Sequence, residues 1–154
     1  MIDPGLLQAF CEDMHTLGRV IDAPAVTMPQ CGGLDGGGFR VDTSGGVYRL
    51  SYREKDEAEL LAESPDRNVL MEAVFVQVTE RMASEQRADS VSPPDADPLT
   101  TPPPSEMRRM AIELHADVSA RQYELLARIS EDWALRQAER NAARAQFIEE
   151  FFQP

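Results

Sequence analysis

The chain is poor in the residues that most chemistry needs: of its 154 residues two are cysteine, two histidine and one tryptophan, and lysine occurs once among fifteen basic side chains. Each scarcity excludes something. Cys11 and Cys31 stand in no Cys-x-x-Cys or other zinc spacing, so no metal ribbon or dithiol redox motif is encoded. A chain of this length can bury roughly two-thirds of the surface it exposes when unfolded, so it needs no disulfide staple. The expectation is a pair of thiols in a reducing, cytosolic setting. Two histidines leave little from which to build a nucleophile and base pair, and neither Ser44 nor Ser51 lies in a Gly-x-Ser-x-Gly context. About 18 apolar residues never run together, and the start, MIDPGLLQAF, has no basic segment ahead of an apolar core. Neither a membrane span nor a secretory leader is read, and the expected location is the cytoplasm. The lone lysine, Lys55, reflects a coding bias toward arginine rather than chemistry, since exposed Arg and Lys are nearly equivalent away from bidentate sites.

What the chain has in excess is negative charge. The formal net charge is -12, which excludes a nucleic-acid binder, because neutralising phosphates requires clustered Lys and Arg. A basic partner is the natural complement. The acidity is concentrated upstream: residues 1–105 hold 18 acidic and 8 basic side chains, and residues 106–154 hold 9 and 7.

Hydrophobic periodicity predicts an α+β fold in one domain, 1–154, with an N-terminal helix, an antiparallel meander of about three strands, and about three further helices packed on one face. Asp3 and Pro4 open the first helix, whose apolar positions from Leu6 to Ile21 recur at helical spacing until Pro24. Pro24, Pro29 and seven glycines make residues 24–46 loop and turn around a short strand at 39–42. Val47 to Tyr52 alternate as a half-buried strand, with Tyr48, Leu50 and Tyr52 on one side. A turn at 54–56 then returns the chain as a more polar strand, 57–63. Ser64, Pro65 and Asp66 open a helix running to about Ala88, dense in apolar residues from Val69 to Val78 and expected to be the most buried. Residues 91–104 hold most of the prolines and read as an extended internal connector. Ser105 is expected to cap the next helix and Ser130 the last, the two forming an antiparallel hairpin or a gentle bend.

Candidate chemistry is sparse. Cys11 and His15 lie four apart, as two metal ligands would, but no third ligand accompanies them, and a half-buried thiol beside a surface imidazole is the plainer reading. His115, between Glu113 and Asp117, reads as solvated. The glycines from 32 to 38 lack the Lys-Ser or Lys-Thr of a phosphate loop. Trp133, beside a helix start, reads as a packing residue. Glu57 and Glu59 would share one face of a strand and could pair as acid and base, although charges that discourage edge-to-edge pairing explain them more simply. No catalytic residue, metal or cofactor is therefore expected. The acidic run of Asp56, Glu57, Glu59 and Glu63 is the candidate partner-binding surface, weighed against a merely solubilising face.

The stretch GGVYRLSYREKDEAELLAESPDRNVLMEAVFVQVTERMA, together with Gln122, Leu125, Leu126, Ile129, Glu131 and Trp133, resembles a family of immunity proteins from bacterial polymorphic toxin systems. The family pattern is a Tyr- and Val-rich strand after a Gly-Gly turn, a charged hairpin, a helix carrying Leu-Leu and Phe, and a later Gln-x-x-Leu-Leu with an acid and Trp. The likeness spans roughly residues 24–140. It departs at Arg53-Glu54, where the family carries Arg-Gly, and at Glu72-Ala73, where it carries an aromatic pair. The resemblance implies that the protein binds a cognate toxin or effector domain, possibly a basic one, and neutralises it by covering its active site. The alternative from another class is an acidic secretion chaperone that holds an export segment. The sequence leaves the oligomeric state open.

Overall fold

A computed structural model describes residues 4–32, 37–90 and 103–151. In chain order these form α1 (Pro4–Val20), a 3-10 turn (Ala25–Thr27), β1 (Gln30–Cys31), β2 (Gly38–Ser44), β3 (Val47–Glu54), β4 (Glu57–Ser64), α2 (Arg67–Ser90), α3 (Pro104–Ala127) and α4 (Glu131–Phe151). This is the α+β class that the periodicity implies. The chain falls into two compact units, Met1–Val78 and Thr79–Pro154, and the division runs through α2. The Pro-rich stretch at 91–102 and the cap expected at Asp3 lie outside the described residues.

In the first unit α1 buries Phe10 and Met14 completely, and Ile21 just past its end nearly so, while Leu6 and Val20 stay about half exposed. The buried stripe is therefore narrower than the apolar spacing suggests. The helix ends in a Schellman turn, in which the Ala23 N–H donates to the Gly18 carbonyl at 2.9 Å and the Asp22 N–H to that of Arg19 at 3.2 Å. The sheet runs β1-β2-β3-β4. Gly45 and Gly46 join β2 to β3 with φ of 58° and 85°, the doubly left-handed turn whose twist suits a two-residue hairpin. Lys55 and Asp56 join β3 to β4. Three strands were expected, all antiparallel; the fourth, β1, is two residues long and parallel to β2, with Gln30 opposite Arg40 and Cys31 opposite Val41. A two-residue strand is too short to show alternation.

Val41, Tyr48 and Leu50 form the buried sheet face, as the alternation of β3 implies, and the core is completed by Leu70, Met71, Val74, Phe75 and Val78 of α2. Each such fully buried large side chain stabilises the fold by about 1.5–3 kcal/mol. Phe10 and Tyr48 stack with ring centroids 5.1 Å apart, fixing α1 to β3. Arg67 pairs with Asp13 and sits over the Phe10 ring at 5.9 Å, tying the start of α2 to α1. Cys11 and Cys31 are joined as a disulfide with Cα atoms 6.3 Å apart. This corrects the expectation of two free thiols: β1 runs beside α1 and carries Cys31 to Cys11, a proximity that no spacing in the sequence encodes.

The helix starts show which polar residues cap. Asp66, not Ser64, caps α2, its Oδ1 accepting from the N–H groups of Asn68 at 2.8 Å and Val69 at 3.4 Å; Ser64 Oγ accepts from the Asp66 N–H instead. Pro103 precedes α3 without a side-chain cap, so Ser105 lies inside the helix. Ser130 does cap α4, accepting from the Trp133 N–H at 3.3 Å.

In the second unit α3 and α4 form an antiparallel hairpin. Leu125, Leu126 and Ala134 are buried, as are Met82 and Ala83 from the latter part of α2. Arg87 reaches Asp117 at 2.8 Å, Arg121 reaches Gln86 at 2.7 Å and Arg144 reaches Glu80 at 3.7 Å, so each helix of the unit is linked to another by charge. A polar ladder sets the register of the hairpin. Gln137 Nε2 donates to Asn141 Oδ1 and Asn141 Nδ2 to Gln122 Oε1, both at 3.0 Å. His115 Nε2 donates to the Asn141 backbone carbonyl at 2.9 Å. His115 is thus half-buried and bonded rather than solvated.

Candidate protein-binding site

The acidic run begins where β3 ends. Glu54 and Glu57 face each other across the two-residue turn, Tyr52 lies opposite Glu59, and Arg49 opposite Glu63. If β4 alternated without interruption, Glu57, Glu59 and Glu63 would share a face. It does not: Leu50 pairs with Ala62 and Ser51 with Leu60, which leaves Leu61 as an extra residue in a β-bulge. The bulge moves Glu63 to the opposite face, beside Arg49, whose Nε lies 3.2 Å from its carboxylate. Glu57 and Glu59 therefore belong with Tyr52 and Glu54, and Glu63 belongs to a separate cross-strand ion pair.

The four members of the run consequently fall into two groups. Asp56, Glu57 and Glu59 are exposed at one end of the hairpin, together with Glu54, and Lys55 is the cation within the turn. Beside them the Phe39 and Tyr52 rings pack with centroids 5.1 Å apart and planes tilted by 58°. These two residues are register partners on β2 and β3 and are only half-buried. Sequence reasoning placed Tyr52 on the side of β3 that carries Tyr48 and Leu50, where the register keeps it, and Phe39 at the start of a short strand, but assigned neither to a surface. The signal that would have found the pair is the register set by the Gly45-Gly46 turn, which places residue 39 opposite 52. The result is an aromatic shelf edged by carboxylates, a surface suited to arginine and lysine side chains: the rings accept the face of a cation and the carboxylates its hydrogen bonds.

β4 is an edge strand of the sheet. Its first four residues are exposed, and its charges and bulge hinder pairing with another edge. No group of three or more His, Cys, Asp or Glu side chains among the described residues is arranged to hold a metal ion. His15 stays exposed on α1 while Cys11 is bonded to Cys31. After the glycine-rich segment the chain enters β2 rather than a helix, so it lacks the helix start against which a phosphate loop seats its ligand. Among the described residues no helix is long and apolar enough to cross a membrane. Compared with protein-family models, with curated proteins and with solved structures, the chain matches none.

Proposed function

We propose that this protein is an immunity protein, which binds a cognate bacterial toxin domain and neutralises it by covering the active site rather than by catalysis. The observation that carries the reading is the end of the β3–β4 hairpin, where Glu54, Asp56, Glu57 and Glu59 are exposed together beside the Phe39–Tyr52 shelf. The likeness of this hairpin and of the Gln122 to Trp133 segment to immunity proteins supports it. A toxin that handles a polyanionic substrate carries a basic active site, and carboxylates held on a rigid strand end steer association with such a surface. The reading sets the encounter in the cytoplasm, a reducing compartment in which a disulfide does not ordinarily persist. Binding must therefore survive reduction of the Cys11–Cys31 bond.

The test uses the C-terminal domain of the protein encoded immediately upstream as the toxin. Asp56→Lys, Glu57→Lys and Glu59→Lys together should weaken its binding by about tenfold or more and flatten the dependence of affinity on salt. Glu63→Lys, on the other face, should weaken it less. Calorimetric titrations at two ionic strengths measure both effects; unchanged affinity and salt dependence in the triple variant would sink the proposal.

A further inference from the structure

One side of the α3–α4 hairpin carries a groove of about 360 Å³ whose walls are almost wholly apolar. Its floor is built from small side chains: Ala116 and Ala120 on α3, and Ala138, Ala142 and Ala145 on α4. They recur at steps of three and four, so both helices present the same shallow strip along their length. Ile112 and Ile148 close one end and Tyr123 the other. From Ile112 to Tyr123 the groove is roughly 17 Å long at the helical rise, about three turns. A floor of alanines lets a third helix approach at ordinary packing distance, with its own large side chains filling the space that the alanines leave.

Charge decides what kind of helix fits. Glu113, Glu124, Glu139 and Glu149 are exposed, and by helical spacing they flank the groove. Arg108 and Arg109 are the cations beside them: Arg109 already spans Glu106 at 3.9 Å and Glu113 at 4.0 Å, and Arg108, one turn before Ile112, is half-buried. Arg121 pairs with Glu124 at 2.9 Å while also donating to Gln86 of α2, and Arg144 turns toward Glu80 of α2. A second copy of this chain docked groove to groove would bring these carboxylates against their own symmetry mates, which disfavours self-association through this face. We infer that the groove takes one amphipathic helix of a partner protein, about three turns long, with Leu- or Met-sized residues along its seam and Arg or Lys on both flanks. This surface belongs to the second unit and the hairpin end to the first, and the inference does not require the partner to be a toxin.

The experiment uses the full chain and three fluorescent peptides of 18 residues. The first is helical, with leucine at alternating three- and four-residue steps and arginine on the flanks; the second is its twin with glutamate flanks. The third has the composition of the first, with prolines that keep it extended. Anisotropy should show the arginine peptide binding at least about tenfold more tightly than the glutamate twin, and the extended peptide binding no better than the twin. Ala142→Trp fills the groove at an exposed position and should reduce binding of the arginine peptide by about tenfold, with circular dichroism reporting the fold. Should that variant unfold, the methyl resonances of Ala116, Ala120 and Ala142 in the unaltered protein still decide: they should shift on titration while those of Ala58 and Ala62 on β4 stay put. Equal binding of the two helical peptides, a preference for the extended one, shifts confined to β4, or a dimer in solution with the groove at its interface would each overturn the inference.

Discussion

Asp22 holds a backbone conformation that aspartate tolerates better than most residues but that glycine adopts without cost. It occupies the left-handed region at φ 53°, at the position after the α1 terminus where glycine is the usual residue. Its carboxylate also meets the negative end of the helix dipole. Asp22→Gly relieves both and should stabilise the protein by about 1 kcal/mol, read as a higher midpoint in urea with an unchanged slope. The Cys11–Cys31 bond closes a separation of 20 residues, which in the chain-entropy account corresponds to about 3 kcal/mol. Cys31→Ser, or reduction, should lower the melting temperature of the protein while leaving α1 docked through Phe10 and Met14; an unchanged melting temperature in both would show that the bond does not form in solution. Neither feature was legible in the sequence. Asp22 is an ordinary loop residue until the hydrogen bonds of Ala23 and Asp22 back to α1 are drawn. Two cysteines on different elements can be matched only after those elements pack.

At the scale of elements, legibility followed length. β3 and α2 were readable because six alternating and ten densely apolar residues give a period time to repeat, and the Gly45-Gly46 turn has one favourable solution. β1 was unreadable for the opposite reason. Of the three expected caps among the described residues one was read correctly: Ser130 caps α4, whereas Ser105 lies inside α3, and at the start of α2 both Ser64 and Asp66 offer an oxygen, the choice of Asp66 depending on where the chain leaves β4. The candidate site shows the same limit. Its carboxylates were visible one by one, yet their division between two faces was not, because the Leu61 bulge changes the phase of β4 without leaving a glycine or proline to mark it. His115 was misjudged because its charged sequence neighbours say nothing about Asn141, 26 residues away. In α2, Thr79 is wholly buried and mid-helix, so Thr79→Pro should cost about 3 kcal/mol or more by removing a hydrogen bond and clashing with the preceding turn. Trp133 fluorescence and hydrogen exchange of the β3 amides should report a single transition in the unaltered protein and two in the variant. Coincident transitions in the variant would mean that an intact α2 is not what makes unfolding cooperative.

For the whole molecule, a net charge of -12 on 154 residues is compatible with two binding surfaces of the same sign preference, the hairpin end in one unit and the α3–α4 groove in the other. A partner that met both would carry its basic residues on a loop or strand and on a helix, and each contact would weaken with added salt. The shared helix has a further consequence for descent. Domains are usually exchanged between genes at exposed linkers, where a cut severs few contacts. Here the boundary lies between Val78 and Thr79, both buried within α2, so a cut at that point falls in a core rather than in a linker. A recombination joined at that boundary would break a helix that buries Val74 and Phe75 in one unit and Met82 and Ala83 in the other, so an exchange of either unit there would cost both cores.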